Sequence, residues 1–300
     1  MTRLVVAVGG NALAADGTFE AQRRTVAATA ESLAGAADED DALVLTHGNG
    51  PQVGNKLLEA EAADTPDRPL DVLVAETQAS LGSLLGRALD ARLDRPVSTL
   101  VTRAVVDPDD AAFENPTKPI GPWYTEKEAA NKPFETKDVG EGERSYRRVV
   151  PSPEPIDVPE TGAVDALLDA GEAVICGGGG GIPVAPDDDG SESLAAVIDK
   201  DYTASLVADS VDAERLVFLT DVPCVYSNYG TDDQQALESL TPAEAREYLD
   251  AGEFGEGSMA PKMAACARFA EAGGEAVIAS IDDPGAAIHG RTGTTVRPDR

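Results

Sequence analysis

The sequence predicts an α/β fold organised around a mainly parallel sheet. Short apolar runs rich in β-branched residues alternate with segments in which apolar residues recur at helical spacing. Runs that are apolar throughout are typical of strands buried on both faces, and the alternation of strand with helix favours parallel pairing. The predicted strands are residues 4–8, 42–46, 97–101, 173–176, 215–220 and 276–280, and helical spacing occurs in residues 81–89 and 264–272.

Glycine-rich turns follow three of the predicted strands. They are Gly9-Gly10-Asn11, Gly48-Asn49-Gly50 and the five glycines at positions 177–181. The carboxyl ends of parallel strands lie at one edge of a sheet, where ligands bind, and glycine lets a backbone bring its N–H groups close to a phosphate. We expect the helix after each turn to point its positive end the same way. One such turn alone would be a tight connection, and none matches the P-loop or the dinucleotide fingerprint, so the three together predict a phosphate cradle of another design.

His47 precedes the second glycine turn and is one of two histidines in the chain. A histidine in this position can serve as a general base or a metal ligand. A lone histidine beside glycine and asparagine more often holds a loop by hydrogen bonds. We therefore expect a structural role for His47.

Residues 107–155 interrupt the alternation of strand and helix. This stretch is rich in proline, glutamate, lysine and aromatic residues and contains the only tryptophan. Long insertions in α/β enzymes are often lids, so we predict an inserted lid-like subdomain within a single domain spanning residues 1–300. Lys118 lies between Pro116 and Pro119, which restrict its backbone. The alternative is a peripheral loop with a solvated lysine.

Asp199 is expected to cap a helix whose first turn carries Lys200 and Asp201. The start of a helix favours an anion, a lysine there can follow a phosphoryl group in transfer, and a carboxylate can orient that lysine or hold Mg²⁺ through water. A charged helix start on the surface is the simpler explanation of an isolated Asp-Lys-Asp. Lys262 follows Pro261 at another predicted helix start and has a similar placement.

The charge balance of the chain is strongly acidic. Asp and Glu number 54 against 24 Lys and Arg, which gives a formal net charge of -30. Nucleic acid is therefore not an expected partner, because the chain repels polyanions. The acidity is spread among clear apolar runs, which argues against disorder and resembles the surface of a halophilic protein. Only seven lysines are present, so those that remain are candidates for function.

The chain has three cysteines, Cys176, Cys224 and Cys266, whose number and spacing fit neither a disulfide framework nor a zinc site. Each lies in or beside an apolar run, so buried reduced thiols are expected. The apolar stretch at the start is too short for a signal peptide, and no run approaches the roughly 18 apolar residues of a membrane helix. We expect a cytoplasmic protein that does not associate with membranes.

Several motifs together resemble one known family. They are Gly9-Gly10-Asn11-Ala12-Leu13, His47-Gly48-Asn49-Gly50-Pro51-Gln52-Val53-Gly54, Pro116-Thr117-Lys118-Pro119-Ile120-Gly121-Pro122, Tyr146-Arg147-Arg148-Val149-Val150-Pro151-Ser152-Pro153, Cys176-Gly177-Gly178-Gly179-Gly180, Ala196-Val197-Ile198-Asp199-Lys200-Asp201 and Ser258-Met259-Ala260-Pro261-Lys262. This set resembles the carbamate kinases, which share the amino-acid-kinase fold. The resemblance covers nearly the whole chain.

The resemblance implies a three-layer α/β/α sandwich with a mainly parallel open sheet, a protruding subdomain and a homodimer. It implies the reaction ATP + carbamate ⇌ ADP + carbamoyl phosphate with Mg²⁺, run toward ATP in arginine fermentation (the arginine deiminase pathway). Phosphoryl transfer needs positioning and charge neutralisation more than a covalent nucleophile, and the retained lysines suit that chemistry.

The resemblance also implies roles for individual residues. Lys200 and Lys262 would contact the transferring phosphoryl group, Asp201 would orient both lysines, and Lys118 would reach the carbamate or phosphoryl end. The substrate and phosphate cradle would be lined by Gly9, Gly10, Asn11, Gly48, Asn49 and Gly50. Asp221, Tyr226 and Met259 would lie toward the nucleotide. Many kinases of the wider fold carry a lysine just before the first glycine turn, where this chain has Ala7, so Lys118 or Lys200 would supply that charge.

Other interpretations of the sequence remain. The same fold phosphorylates other small carboxylates, phosphates and phosphonates, and a close relative can run in the direction of carbamoyl phosphate synthesis. A nucleotide-binding regulator without turnover is a further alternative. A regulator has no need of lysine at all three phosphoryl-facing positions, so the retention of Lys118, Lys200 and Lys262 favours a kinase.

Overall fold

The computed structural model of the chain describes residues 2–10, 13, 18–62, 66, 68–187, 190–255 and 258–298. Within these residues the helices are α1 (Phe19–Ala34), α2 (Gly50–Ala62), α3 (Leu70–Asp90), α4 (Glu126–Ala129), α5 (Thr161–Asp169), α6 (Lys200–Ser210), α7 (Pro242–Asp250), α8 (Met259–Glu271) and α9 (Pro284–Ile288). None of these described helices is both long and apolar enough to cross a membrane.

The strands of the same residues are β1 (Arg3–Val8), β2 (Ala42–His47), β3 (Val97–Thr99), β4 (Arg103–Val106), β5 (Lys118–Tyr124), β6 (Thr136–Asp138), β7 (Tyr146–Val150), β8 (Pro155–Asp157), β9 (Ala173–Ile175), β10 (Ile182–Asp187), β11 (Gly190–Ser193), β12 (Arg215–Thr220), β13 (Val225–Ser227), β14 (Gln235–Leu237), β15 (Ser239–Leu240), β16 (Glu275–Ser280) and β17 (Thr294–Val296). Short 3-10 turns occupy Ala111–Phe113 and Gly178–Gly180. All six predicted strands are present, and the predicted helical segments lie in α3 and α8.

The central sheet has the strand order β15-β17-β16-β12-β1-β2-β9-β3 among the described residues. Its neighbours pair in parallel except for β16 and β17, which are antiparallel. The prediction of a mainly parallel sheet is therefore confirmed. Strands β1, β2 and β9 are adjacent, so the three glycine turns that follow them emerge at one edge.

Helices cover both faces of the central sheet. Along β1, Val5 and Ala7 belong to a core shared with α5, α6, α7 and α8. Leu4, Val6 and Val8 belong to the opposite core, with α1, α3 and α9. Because successive side chains of a strand point to opposite faces, the apolar run of β1 serves both cores at once. This arrangement is the expected three-layer α/β/α sandwich.

The third glycine turn leads out of the central sheet. Gly181 is followed directly by β10, which belongs to a second sheet of order β11-β10-β4-β8. The expectation of a helix after every glycine turn is therefore wrong at this turn, although α1 and α2 follow the other two. The chain needs left-handed backbone here, since Gly180 and Gly181 have φ of 89° and 91°, which glycine adopts without steric cost.

The central part of residues 107–155 contains a small antiparallel sheet of order β5-β7-β6 and helix α4. Ile120 and Val150 from this sheet pack against Val53 of α2 and Val74 of α3. At the far end of α2, Glu61 accepts hydrogen bonds from Tyr124 Oη and from Lys132 Nζ, the latter at 2.7 Å. These contacts anchor the segment on α2 and α3.

Candidate active site

Two lysines from different helices share one buried carboxylate. Lys262 Nζ, from the first turn of α8, donates to Asp201 Oδ2 at 3.1 Å, and Lys200 Nζ donates to Asp201 Oδ1. Lys262 Nζ also donates to the carbonyl oxygen of Ser258 at 3.2 Å. Asp201 is 2% exposed and Lys262 is 8% exposed. Both oxygens of Asp201 therefore fix ammonium groups at the starts of α6 and α8.

The charge of this cluster is unbalanced. Two ammonium groups against one carboxylate leave a net positive charge in surroundings largely shielded from water. A buried charge without a partner is costly, and electrostatic attraction is strong where water is excluded. The cluster of Lys200, Asp201 and Lys262 is therefore suited to an incoming anion.

A third lysine reaches the same region from the inserted segment. Lys118, the first residue of β5, donates from Nζ to Asp199 Oδ2 at 2.7 Å. The other oxygen of Asp199 accepts from the backbone N–H of Asp201 at 3.1 Å, which confirms the predicted N-cap of α6. Burial opposes the ionisation of Asp199, but the charges of Lys118 and Lys200 and the hydrogen bonds outweigh it and hold its pKa below the usual range.

The first two glycine turns are in contact beside Lys200. A Cβ on Gly48 would lie 2.6 Å from the backbone nitrogen of Gly10 and 3.5 Å from Cδ of Lys200. The backbone N–H of Gly48 donates to the carbonyl oxygen of Val8 at 3.0 Å, which fixes the second turn to the end of β1. The aliphatic stem of Lys200 therefore lies over the junction of the two turns.

The third glycine turn packs against the second. A Cβ on Gly179 would lie 2.2 Å from the side-chain nitrogen of Asn49. That nitrogen donates to Thr77 Oγ1 of α3 at 3.0 Å, and Thr203 Oγ1 of α6 donates to the carbonyl oxygen of Gly180 at 2.7 Å. Asn49 is thus held in place between α3 and the third turn, while the start of α2 at Gly50 has free space around it.

His47 is buried beneath these turns. Burial, assisted by the charge of Lys200 and opposed by the hydrogen bond to Gly48, lowers its pKa from 6.5 to about 4. The imidazole is therefore neutral near pH 7, and its Nδ1 lies 3.2 Å from the carbonyl oxygen of Gly48, to which it donates as the Nδ1–H tautomer. This contact agrees with the expected structural role.

The residues predicted to lie toward the nucleotide belong to three different segments of the chain. Asp221 is exposed just after β12, Tyr226 is in β13, and Met259 is the first residue of α8, three positions before Lys262. Met259 is near Lys262 in sequence, and the roles of all three residues stay predictions. Gly9 donates its N–H to the carbonyl oxygen of Leu219 at 3.3 Å, which joins the first turn to β12. The predicted residue Asn11 lies outside the described residues.

Sequence reasoning identified Asp199 only as a helix cap and did not single out Thr203. The partner of Asp199 is 81 residues away, and no local pattern marks that pairing. The sequence offers only a weak indication of Thr203, which lies one helical turn after Lys200.

The carboxylates of the site are already engaged by lysines. Within the described part of the chain, no group of three or more His, Cys, Asp or Glu side chains could hold a metal ion. Mg²⁺ in phosphotransferases is commonly bound through one or two carboxylates together with substrate phosphates and water. The donor set here therefore fits an ion that is carried largely by the nucleotide.

The fold and the site define a phosphoryl-transfer enzyme, with anion-attracting lysines at glycine turns on the carboxyl edge of a parallel sheet. The chain belongs to the amino acid kinase family, whose family model matches residues 2–280.

Individual relatives are similar over their whole length. A carbamate kinase of Halobacterium salinarum is 47% identical, and the match covers 99% of each chain. A carbamate kinase of Thermococcus kodakarensis is 42% identical with the same coverage. The structure of a carbamate kinase from Giardia lamblia bound to AMP-PNP is 36% identical, with a TM-score of 0.90 over 99% of both chains.

Proposed function

We propose that this protein is a carbamate kinase, a phosphotransferase that interconverts ATP plus carbamate and ADP plus carbamoyl phosphate. The observation that carries the proposal is the pair of lysines, Lys200 and Lys262, fixed on the two oxygens of Asp201. Its support from similarity is the shared name of relatives that match along the full chain.

In this proposal Lys200 and Lys262 neutralise the charge of the phosphoryl group as it passes between carbamate and ADP. Asp201 keeps both ammonium groups in place before substrate arrives, so little reorganisation is needed in the transition state. No covalent intermediate on the protein is required, because transfer between two bound substrates depends on alignment and charge compensation.

Lys118 provides a third positive charge from the inserted segment. It lies at the start of β5, and its Nζ reaches Asp199 at the start of α6. We propose that residues 107–155 form a lid-like subdomain that covers the substrates and excludes water, with Lys118 contacting the carbamate or phosphoryl end.

The glycine turns are the proposed cradle for phosphate and carbamate oxygens. Gly48 leaves no room for a side chain where it meets Gly10, and α2 begins at Gly50, where the first N–H groups of a helix have no partner within the helix. Gly9, Asn11 and Asn49 complete the proposed cradle. Asp221, Tyr226 and Met259 are proposed to contact the nucleotide.

Mg²⁺ bound with ATP or ADP is part of this proposal. When bound, the ion neutralises phosphate charge that the lysines do not reach. In this proposal Asp199 and Asp201 hold the lysines, and the nucleotide phosphates stay accessible to the ion.

Two further features are proposed from the family resemblance: the physiological direction is ATP formation during arginine breakdown, and the active form is a homodimer. From the composition we propose that the acidic surface, with a net charge of -30, is an adaptation to high salt. Light scattering of the purified protein in high KCl tests the dimer.

A coupled assay tests the proposed reaction. The protein is supplied with ADP, carbamoyl phosphate and Mg²⁺ in high KCl, and ATP is measured. Rapid ATP formation that disappears in Lys200→Ala but survives in Lys127→Ala, which removes an exposed lysine of α4, supports the proposal. A folded wild-type protein that makes no ATP would refute it and direct the search to other small acids as phosphoryl acceptors.

A further inference from the structure

The pairing of Lys118 with Asp199 indicates a role for Asp199 that the sequence alone does not indicate. We propose that Asp199 is a positioning residue for Lys118, so that the inserted segment delivers its lysine to the site only through this carboxylate. The kinetic side of this inference rests on the proposed function, whereas the contact itself does not.

The two carboxylate oxygens of Asp199 bind different partners. Oδ2 accepts from Lys118 Nζ at 2.7 Å, and Oδ1 accepts from the backbone N–H of Asp201 at 3.1 Å. One side chain therefore fixes the lysine of β5 and the first turn of α6, which carries Lys200 and Asp201. The distance between the lid lysine and the central cluster is set by a single rigid group.

The backbone on both sides of this contact is well held. Lys118 pairs with Val150 in the β5–β7 ladder, and the neighbouring Ile120 packs on α2. Ile198, just before Asp199, is buried in a small core with Ala104 and Val106. A lysine side chain has a four-carbon stem with many rotamers unless its ammonium group is bound, so the bond to Asp199 is what fixes the end of Lys118.

Shielding from water strengthens the pairing. The Asp199 side chain is 13% exposed and that of Lys118 is 30% exposed, so the pair is less screened than a surface ion pair. The neighbouring cluster carries a net positive charge that would repel Lys118 from the site. Asp199 supplies the negative charge that allows a third ammonium group to stay beside Lys200 and Lys262.

The substitution Asp199→Asn separates the two tasks of this side chain. Asparagine caps helices about as well as aspartate, so α6 keeps its N-cap while Lys118 loses its counter-charge. Asp283→Asn is the matched control, because Asp283 caps α9 by accepting from the backbone N–H of Ala286 at 3.0 Å, away from the site.

The first measurement is kinetic, with kcat and KM determined separately for carbamoyl phosphate and ADP. We expect Asp199→Asn to lower kcat/KM for carbamoyl phosphate about tenfold, because a misplaced charge near the reacting group costs at least that much. In a Lys118→Met background, Asp199→Asn should lower kcat/KM for carbamoyl phosphate by no more than about twofold, because the ammonium group that Asp199 positions is already absent. Equal effects in both backgrounds, or wild-type kinetics in Asp199→Asn, would overturn the positioning role.

The second measurement needs no activity. Limited acetylation with an N-hydroxysuccinimide ester, followed by peptide mass spectrometry, compares the reactivity of Lys118 with that of exposed Lys127 in the same sample. Removal of the carboxylate charge weakens the hold on the Lys118 ammonium group and lets the side chain move into solvent, so Asp199→Asn should raise the relative acetylation of Lys118 several-fold, and Asp283→Asn should not. Unchanged acetylation would overturn the pairing.

The two measurements keep the hypotheses apart. A wild-type protein that makes ATP, together with a kinetically normal Asp199→Asn, rejects the positioning role and leaves the proposed reaction intact. A wild-type protein that makes no ATP rejects the reaction, and the acetylation of Lys118 then decides the pairing by itself.

Discussion

Asp201 Oδ2 accepts a hydrogen bond of 3.1 Å from Lys262 Nζ, although 61 positions separate the two residues. The bond exists because α6 and α8 pack side by side on one face of the central sheet and begin at the same edge. Each helix contributes a lysine in its first turn. The carboxylate of Asp201 binds both lysines and holds them together as one cationic cluster.

Loss of either central lysine should stop phosphoryl transfer and leave the fold intact. We expect Lys200→Ala and Lys262→Ala each to lower kcat by about 10²-fold or more, because each removes charge matched to the transition state. Steady-state assays of ATP formation measure the loss, with Lys127→Ala as the control. Wild-type turnover in both variants would contradict the assigned roles.

Loss of the shared carboxylate should affect stability as well as activity. In Asp201→Asn the largely buried ammonium groups of Lys200 and Lys262 lose the carboxylate that they share, and such broken pairs cost about 3–5 kcal/mol. Urea denaturation at constant KCl measures the free energy of unfolding. The control is Asp250→Asn at the exposed end of α7, and a similarly small change in both variants would show that Asp201 is not needed to balance the lysines.

A methyl group at Gly48 should separate the first two glycine turns. In Gly48→Ala the new Cβ would lie 2.6 Å from the nitrogen of Gly10 and 2.8 Å from its Cα, so the backbone must move. Since Lys200 lies over this junction, we expect kcat/KM to fall about 10²-fold, as small misplacements of reacting groups do. Gly162→Ala in α5, where nothing lies within 4 Å, is the control. Equal activity of the two variants would contradict the prediction.

Burial of neutral His47 should make stability depend on pH. Its pKa falls from 6.5 to about 4 on folding, so below pH 6.5 the unfolded chain binds a proton that the folded protein refuses. The stabilisation is complete above about pH 6.5 and declines as the pH falls, by about 2 kcal/mol down to pH 5. Denaturation at several pH values should show this slope.

The slope should be reduced in His47→Asn, whose amide can still donate to the carbonyl oxygen of Gly48. His289→Gln removes the other histidine of the chain and serves as the comparison. An unchanged slope in His47→Asn would show that another group causes the pH dependence.

Salt should stabilise the folded protein strongly. A net charge of -30 repels itself most in the compact state, and screening shortens the range of that repulsion to about 3 Å in 1 M salt. We expect the melting temperature and the activity to rise steeply from dilute buffer to about 2 M KCl. Sucrose, which carries no charge, is the control solute. Full activity in dilute buffer would contradict the prediction.

The main strands of the central sheet were predictable because their burial leaves a continuous apolar signature, as in β1 and β12. The edge of the sheet formed by β15 and β17 was not predictable. Strands β15 and β17 have two and three residues and include Ser239, Thr294 and Thr295, so they lack an apolar run. The direction of β17 follows from how the chain returns after α9, which no local pattern encodes.

Within the site, the starts of α6 and α8 were predictable because capping and proline preferences are local. The ion pairs that make these residues a site join positions 61 and 81 residues apart and arise only from tertiary packing. The contact of Gly10 with Gly48 is of the same kind. The sequence identifies both residues as glycines with a free choice of backbone conformation, but only the pairing of β1 with β2 brings them together.

Strand β1 lies between β2 and β12, and this order governs how the nascent chain can fold on the ribosome. β1 can pair with β2 early in translation, but its other edge stays open until Arg215–Thr220 has been synthesised, and Arg3 reaches its acceptor at Val211 across 208 residues. An open strand edge is a template for pairing with another chain. The strand that closes it also brings the first turn to its final place, so protection from aggregation and assembly of the lysine site both come late in synthesis.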